Sequence, residues 1–386
     1  MKKNIKVLYI APTEAKYAGD NKSLLNLLSG LNNYEVTPLI ITSSTESATE
    51  FIKKGFECEV LPYPFRFTAL CPAYKSWREI VRFPYNLLLL IAGIFIANKA
   101  LNKIVQKFNP DIIHSNTSQT IIGYNASKKN KIPHFWHIRE FIDLDFNTHL
   151  IFSKKAHRKL LRKANNHLII ITECVKRHYQ SPSNSRVIYD GVLKAAQTQF
   201  KEKKNKQFLF VGRLTEMKGI FLLLNAFIDF CAVNKDYELV LAGEKMNEEE
   251  FEIIKKLVHE NGISSRVKFL GNRDDVFDLM ASSTALIVPS LNEAFGRITV
   301  EAMYNGCLVI GNDSSGTQEI LKKEVLGLLF SNQKELTSKM ETVAKNGIES
   351  YFPMIKKAQE RATILYSEEQ NANLIFKYYQ QIVSKS

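Results

Sequence analysis

The sequence predicts an α/β protein with two Rossmann-like, doubly wound domains. Three observations support this class: short apolar runs alternate with helical stretches along the whole chain, each half begins with a strand, a glycine-containing loop and a helix, and a polar, lysine-rich stretch separates the halves. Strands are predicted near residues 5–11, 35–41, 57–61, 110–115, 132–137, 167–172 and 186–189, and then near 207–212, 238–242, 266–270, 284–289 and 307–311.

The domain boundaries follow from composition. We expect an N-terminal domain at 1–192, a linker at 193–206 without apolar periodicity, and a C-terminal domain at 207–366. The last stretch, 367–386, has apolar residues at helical spacing and predicts a terminal helix that returns to the N-terminal domain.

Composition indicates a globular protein of the cytosol. The 386 residues allow two full cores, and 45% apolar with 24% charged residues excludes a disordered chain. The five cysteines are scattered, and an odd number without metal spacing favours free thiols in a reducing compartment. The apolar stretch Val7 to Ala11 is too short for a signal peptide and is interpreted as the first strand.

The net charge of +13 is unevenly distributed. Residues 1–190 hold 27 Lys and Arg against 14 Asp and Glu, whereas the remaining residues hold 25 of each. The excess indicates an anionic partner for the first half, either a membrane surface, a nucleic acid or a phosphorylated substrate, unless this half is simply a basic domain.

One apolar run, Leu87 to Ala97, is unusual for this class. Its eleven residues would form about 16 Å of helix, roughly half of a bilayer core, so a transmembrane helix is disfavoured. Two interpretations remain open: a core helix on the first sheet, or a patch that lies on a membrane. Nearby basic residues support the second, and so does a separate basic helix around 154–163 that could lie on anionic lipid; the nearby residues are Lys75, Arg78, Arg82, Lys99 and Lys103.

The most informative segment runs from Pro289 to Glu319. A predicted strand ends at Pro289, Glu293 follows, and a helix carrying Glu301 begins after Phe295 and Gly296. Ligands of open α/β sheets bind at the carboxyl ends of the strands, and the unpaired N–H groups of a helix start suit a phosphate.

This segment resembles the signature of the retaining glycosyltransferases of family 4 (glycosyl transferases group 1). The family pattern of two glutamates seven residues apart, with Phe-Gly between them and Glu-Ala-Met at its end, is matched from Glu293 to Met303, and a Gly-Thr-x-Glu element is matched at 316–319. The resemblance implies the GT-B fold, in which two Rossmann-like domains face a central crevice. It also implies that Glu293 and the amides of Phe295, Gly296 and Arg297 position the sugar and diphosphate, and that Glu301 binds the ribose.

A second element, Gly-Arg-Leu followed by Lys-Gly, places Arg213 after a strand and Lys218 before a helix. Two cations at such a position suit a diphosphate, although alone they would more often be surface charges. In the family that this element resembles, this Arg and Lys hold the nucleotide diphosphate, which makes Arg213 and Lys218 expected catalytic and donor-binding residues.

The first half carries fewer matched residues. Where the family often has Gly-Gly in the first loop this chain has Ala18-Gly19, so only Gly19 carries over as a donor contact. The resemblance makes His137, at a strand end, a catalytic-site contact of the donor sugar. Arg139, Glu140 and Asn116 are weaker candidates.

No metal, cofactor or nucleic acid is expected. Asp143 and Asp145 have the spacing that holds a metal in the other large glycosyltransferase fold, but short matches arise by chance and no His or Cys cluster accompanies them. Arg213, Lys218 and helix-end amides can balance the charge of the leaving group instead.

The sequence therefore predicts a retaining, metal-independent glycosyltransferase on the cytoplasmic side of the membrane. It would use a nucleotide-diphosphate sugar and a glycan or lipid-linked acceptor, as in bacterial surface polysaccharide synthesis. Two alternatives remain: another enzyme of this fold, such as a nucleotide-sugar epimerase or a phosphorylase, and a non-enzymatic subunit that binds nucleotide sugar.

Overall fold

A computed structural model describes residues 4–12, 19–61, 77–146, 153–163, 165–180, 182–245 and 247–384. The chain divides into two compact units, Met1–Gly191 with Glu368–Ser386, and Val192–Ser367. Each unit is built around one parallel sheet with helices on both faces, so the predicted α/β class with two Rossmann-like domains is confirmed.

The first unit has a seven-stranded sheet with the order β3-β2-β1-β4-β5-β6-β7 among the described residues. The strands are β1 (Ile5–Ala11), β2 (Val36–Thr42), β3 (Cys58–Val60), β4 (Ile112–Ser115), β5 (His134–Ile138), β6 (Asn166–Ile170) and β7 (Ser185–Val187). Its helices are α1 (Gly19–Leu31), α2 (Thr45–Lys53), α3 (Trp77–Phe108), α4 (Ile122–Asn130), α5 (Asp143–Phe146), α6 (Lys154–Leu161) and α7 (Glu173–His178), with α15 (Glu368–Val383) from the chain end.

Two cores hold this sheet. On one face, β1 and β4 pack against α1 and α15, with Leu24, Ile375 and Tyr379 almost fully buried. On the other face the core includes Ala97 and Leu101 of α3 together with residues of α4. Burial on both faces explains why the central strands are continuous apolar runs.

In its described residues, the second unit has a six-stranded sheet with the order β10-β9-β8-β11-β12-β13. The strands are β8 (Asn205–Val211), β9 (Glu238–Ala242), β10 (Val267–Gly271), β11 (Ser283–Val288), β12 (Leu308–Asn312) and β13 (Leu328–Phe330). The helices are α8 (Ile220–Val233), α9 (Glu248–Glu260), α10 (Val276–Ser282), α11 (Arg297–Tyr304), α12 (Ser315–Lys322), α13 (Gln333–Asn346) and α14 (Phe352–Leu365). The sequence did not predict β13, which has only three residues.

The stretch expected to be a linker, 193–206, belongs to the second unit. The backbone N–H of Gln199 donates to the Tyr304 carbonyl at 3.1 Å, and β8 already begins at Asn205. The Phe200 ring packs edge-on against Phe352 with 5.2 Å between centroids. These contacts fix the stretch on its own unit, because an apolar ring within a lysine-rich segment still gains by burial.

The strand order places the site of the second unit. Strand β8 lies between β9 and β11, so the connections from β8 and β11 run to opposite sides of the sheet. Such a switch point leaves an open position at the carboxyl ends of both strands, where ligands of doubly wound folds bind.

Candidate functional site

Two cations follow the carboxyl end of β8. Arg213 lies in the loop directly after the strand and is exposed, and Lys218 ends a single 3₁₀ turn, Glu216–Lys218. The Lys218 Nζ donates to Glu293 Oε1 at 2.6 Å, and both side chains are more than two-thirds buried. The structure therefore brings together two site residues that are 75 positions apart in the chain.

Gly219 makes this pairing possible. Its φ of +76° closes the 3₁₀ turn in the left-handed region, and a Cβ here would lie 2.6 Å from the Pro289 carbonyl oxygen. The loop after β8 can therefore touch the loop after β11, so the Lys-Gly dipeptide is a packing requirement as well as a matched motif.

The segment after Glu293 is held from two sides. The Phe295 ring is buried and packs edge-on against Tyr366 with 5.7 Å between centroids. Gly316 donates its N–H to the Glu293 carbonyl at 2.8 Å. Gly296 has a φ of +91° and is followed at once by α11, so the chain turns sharply and presents the first turn of that helix beside Glu293.

Glu301 lies on α11 and is 6% exposed. Its Oε1 accepts a hydrogen bond from Arg297 Nε at 3.0 Å, and Arg297 Nη2 donates to the Val192 carbonyl at 3.0 Å. Arg297 therefore holds the Glu301 carboxylate in a fixed position through its side chain, a role that the sequence did not indicate.

One further polar atom lies beside Gly296. The Thr317 hydroxyl is buried, has no hydrogen-bond partner among the described residues, and is 3.3 Å from the position of a Cβ on Gly296. A buried hydroxyl of this kind suits a ligand. The matched Gly-Thr-x-Glu element was the sequence signal for it. Glu319 of the same element lies half-buried on α12.

In the first unit, His137 is fully buried near the end of β5. Its Nδ1 accepts a hydrogen bond from Arg139 Nη2 at 3.1 Å, and its Nε2 is 3.5 Å from Asp190 Oδ1. Burial, with the Arg139 charge beside it, lowers the pKa of His137 well below its usual value, so the ring is neutral. In this structure the ring contacts protein groups, and its role as a sugar contact stays a prediction.

Arg139 is the centre of this buried polar group. It pairs with Asp190, and its Nε donates to Asn116 Oδ1 at 3.2 Å. Asn116 in turn donates to the Asp20 carbonyl at 3.0 Å, at the start of α1. Each of these residues follows or ends a parallel strand or begins a helix, which is why they meet at one edge of the sheet.

Glu140 belongs to the same edge. Its Oε1 accepts hydrogen bonds from Thr117 Oγ1 at 2.6 Å, from the Ser118 N–H at 2.9 Å and from Ser118 Oγ at 3.0 Å. Burial raises the pKa of Glu140 to about 7, although these hydrogen bonds oppose the shift. Glu140 is thus a carboxyl group that changes charge near neutral pH.

The other candidates of the first unit have simple surroundings. Gly19 begins α1 with open space around it, and residues 13–18 of its loop lie outside the described residues. Asp143 pairs with Lys154 and lies 3.0 Å from His178 Nε2. The Asp145 side chain is outside the described part. Within that part, no group of three or more His, Cys, Asp or Glu is placed to hold a metal ion.

Comparisons with known proteins agree with this arrangement. The model of the glycosyl transferases group 1 matches residues 194–361, and the model of glycosyltransferase family 4 matches residues 42–193. Together the two models cover most of both units.

Proteins with related sequences are glycosyltransferases. An uncharacterised glycosyltransferase of Methanocaldococcus jannaschii is 26% identical over 66% of this chain and 72% of its own length. The capsular polysaccharide biosynthesis glycosyltransferase CapH of Staphylococcus aureus is 21% identical over 56% of this chain and 64% of its own. The match to another uncharacterised M. jannaschii glycosyltransferase, at 35% identity, covers 32% of this chain and spans 31% of the relative's length.

The structure of HepE from Anabaena in complex with UDP has a TM-score of 0.79 at 18% identity, over 98% of this chain and 100% of its own. At this identity the likeness concerns the fold alone.

Proposed function

Since this chain belongs to the family 4 glycosyltransferases with a GT-B fold, we propose that it transfers a sugar from a nucleotide-diphosphate donor with retention of configuration. The acceptor would be a glycan or a lipid-linked sugar in the synthesis of a bacterial surface polysaccharide, on the cytoplasmic face of the membrane. One observation carries the proposal: Lys218 and Glu293 meet at 2.6 Å where β8 and β11 end, with Arg213 exposed after β8.

The diphosphate is the group that this site suits best. Lys218 is paired with one carboxylate, whereas the diphosphate of a donor carries more negative charge and more acceptor oxygens than Glu293 offers. The donor would therefore draw Lys218 away from Glu293, and Arg213 would bind a second phosphate oxygen, with its planar guanidinium able to bind bidentately. Both cations then stabilise the charge that develops on the leaving diphosphate.

Removal of Lys218 from Glu293 has a second consequence. The Glu293 carboxylate becomes free to accept hydrogen bonds from sugar hydroxyls, while Phe295 and Gly316 keep its backbone in place. Glu301 would accept hydrogen bonds from the ribose hydroxyls, since Arg297 keeps its carboxylate oriented. Transfer on the same face through an oxocarbenium-like ion pair needs no protein nucleophile, and the leaving charge is balanced without a metal.

Three similar proteins guide the choice of substrates. HepE has been crystallised with UDP and with UDP-glucose, CapH acts in capsular polysaccharide biosynthesis, and gpi3 of Schizosaccharomyces pombe is a phosphatidylinositol N-acetylglucosaminyltransferase subunit. UDP-sugars are therefore the first donors to test. A glycan and a lipid-linked sugar are the two acceptor classes.

The proposal is tested by turnover of variants at the two cations of the site, Arg213 and Lys218, which we call the clamp variants. Arg213→Ala and Lys218→Ala should each lower acceptor-dependent release of nucleoside diphosphate by about 10²-fold or more. This is the usual effect of removing one group that stabilises the charge developing in the transition state. The matched control is Lys268→Ala, which removes an exposed lysine of β10 that pairs with Glu238 at 2.5 Å.

Turnover within a factor of two in the control and large losses in both clamp variants would support the proposal. Undiminished turnover in Lys218→Ala would refute it. Release of free nucleotide without any acceptor, or conversion that requires inorganic phosphate, would instead indicate one of the other enzyme classes.

A further inference from the structure

The outward side of α3 is apolar over most of its length. Eight of its large apolar side chains are between 42% and 73% exposed. We call this set the α3 outer face, and it consists of Trp77, Val81, Tyr85, Leu88, Leu89, Ile91, Phe95 and Ile96. Exposed apolar area concentrated on one element in this way marks an interaction surface more often than chance exposure.

The spacing of these residues makes the face continuous. Val81, Tyr85, Leu88 and Phe95 follow one another at three, four or seven residues and lie on one side of the helix. The opposite side carries Ala97, Leu101 and Val105, which are buried in the core of the first unit. The helix is thus anchored mainly through its C-terminal part, residues 97–105, whereas the α3 outer face lies on the part before it and is open.

This arrangement decides between spanning a membrane and lying on one. Leu87–Phe108 is long and apolar enough to cross a bilayer, and 28% of its most apolar 18-residue window is buried. A spanning helix would expose all its sides to lipid. Because Leu101 and Val105 pack on the sheet, crossing would require the core of this unit to open.

Basic side chains border the apolar face. Lys99 and Lys103 are exposed on the same helix, just beyond the apolar part. The neighbouring α4 is held to α3 through a hydrogen bond from Asn130 Nδ2 to Asn102 Oδ1 at 2.9 Å. It presents exposed Lys128 and Lys129 at its end.

The basic border continues to the end of α6. The Lys163 Nζ lies 5.6 Å from the ring centre of Tyr124 on α4. Further exposed cations on α6 and at its C-cap are Lys154, Lys155, Lys159 and Arg162. An apolar strip about 30 Å long is therefore followed by a broad band of positive charge.

We propose that the α3 outer face lies in the headgroup region of an anionic membrane, with its apolar side chains inserted and the surrounding lysines on lipid phosphates. Insertion of an amphipathic face together with attraction to anionic lipid is the usual basis of such binding. The proposal rests on the proposed function, because it would bring the first unit to a lipid-linked acceptor.

A second copy of the chain fits the same face less well. All of the net +13 charge lies in residues 1–190, so two such faces would bring like charges together. An anionic bilayer supplies both the apolar interior and the opposite charge.

The test is co-sedimentation of the full chain with two kinds of vesicle, phosphatidylcholine alone and phosphatidylcholine with 30% phosphatidylglycerol. We expect binding to the anionic vesicles that weakens several-fold near 1 M salt. The double variant Leu88→Gln with Phe95→Gln keeps helix propensity and charge but removes two inserting side chains, so its partition coefficient should fall about tenfold or more.

The matched control is Ile253→Gln, an exposed apolar residue on α9 of the second unit, which should bind like the wild type. Trp77 gives an independent signal, since it is 70% exposed while the other tryptophan, Trp136, is 1% exposed. Its emission should shift to shorter wavelength with anionic vesicles only, as the indole leaves water.

Equal binding of the double variant and the wild type would overturn the proposal, as would absence of binding to anionic vesicles at low salt. A dimer in sedimentation velocity that the double variant dissociates, without vesicle binding, would assign the face to a second copy instead. Thermal stabilisation by nucleotide sugars should be the same in the double variant. If nucleotide sugars stabilised neither the wild type nor the double variant, the proposed function would be refuted. The vesicle result would still decide the membrane proposal.

Discussion

Substitution of Gly316 by alanine gives a sharp test of how the donor-site loop is held. A Cβ on Gly316 would lie 2.2 Å from the Phe295 carbonyl oxygen and 2.7 Å from the Glu293 carbonyl oxygen. Both atoms are backbone, so no side-chain rotation can relieve the contact. The φ of Gly316 lies outside the left-handed region, and the perturbation is therefore steric alone.

The required movement can be estimated from these distances. To restore a separation of about 3 Å, the loop from Glu293 to Phe295 must move by about 1 Å, and overpacking of this kind costs roughly 1–3 kcal/mol of folding stability. A misplacement of 1 Å at a reacting site lowers the rate by about 10²-fold. The loop carries Glu293, so the variant should lose donor turnover while it remains folded.

Gly327→Ala is the matched control in the same unit. Gly327 lies in the loop between α12 and β13. A Cβ on it would lie 2.8 Å from the Val309 carbonyl oxygen of β12, so this variant also carries a backbone clash, but not with the Glu293 to Phe295 loop. The midpoint temperature of thermal unfolding should be lower than that of the wild type in both variants, whereas kcat/KM should fall about 10²-fold only in Gly316→Ala. A folded Gly316→Ala variant with wild-type kcat/KM would refute the account of the loop.

Two further predictions concern pH and metals. The pKa of Glu140, raised by burial from 4.5 to about 7, means that the folded state holds this proton more tightly than the unfolded chain. Its contribution is fully present below pH 4.5 and lost as the pH rises through 7, by about 3 kcal/mol. Urea unfolding of wild type relative to Glu140→Gln should therefore show wild type losing stability between about pH 4.5 and 7 and no further loss above it, and a flat difference would contradict the shift. Turnover should persist in excess EDTA, and its loss with recovery on magnesium or manganese would show that a metal takes part.

The fold was predictable because its signals are local. Alternating buried strands and helices gave twelve strands, each within two residues or so of its position in the structure. Strand β13 was not predicted because its three residues make too short an apolar run. Helix α3 extends from Trp77 to Phe108, well beyond the apolar run from Leu87 to Ala97, and Pro84 inside it would normally indicate a boundary.

The site was only partly predictable, because pairings depend on tertiary contacts. The sequence predicted Lys218 and Glu293 as site residues. Their ion pair, however, requires Gly219 to pack on Pro289, and the spacing of residues in the sequence does not predict that contact. The sequence also treated Asp190 as structural and Arg139 as a weak candidate. Their pairing beside His137 became visible only when parallel strand ends met at one sheet edge.

The central claim is that the second unit binds a nucleotide-diphosphate sugar through Lys218. The most direct measurement is the thermal shift of wild type and Lys218→Ala against a panel of nucleotide sugars, beginning with UDP-glucose. A donor at a hundred times its dissociation constant should add about 2.7 kcal/mol of stability to the wild type. The same concentration should add much less to the variant. Failure of every nucleotide sugar to stabilise the wild type, or equal stabilisation of both proteins, would contradict the account.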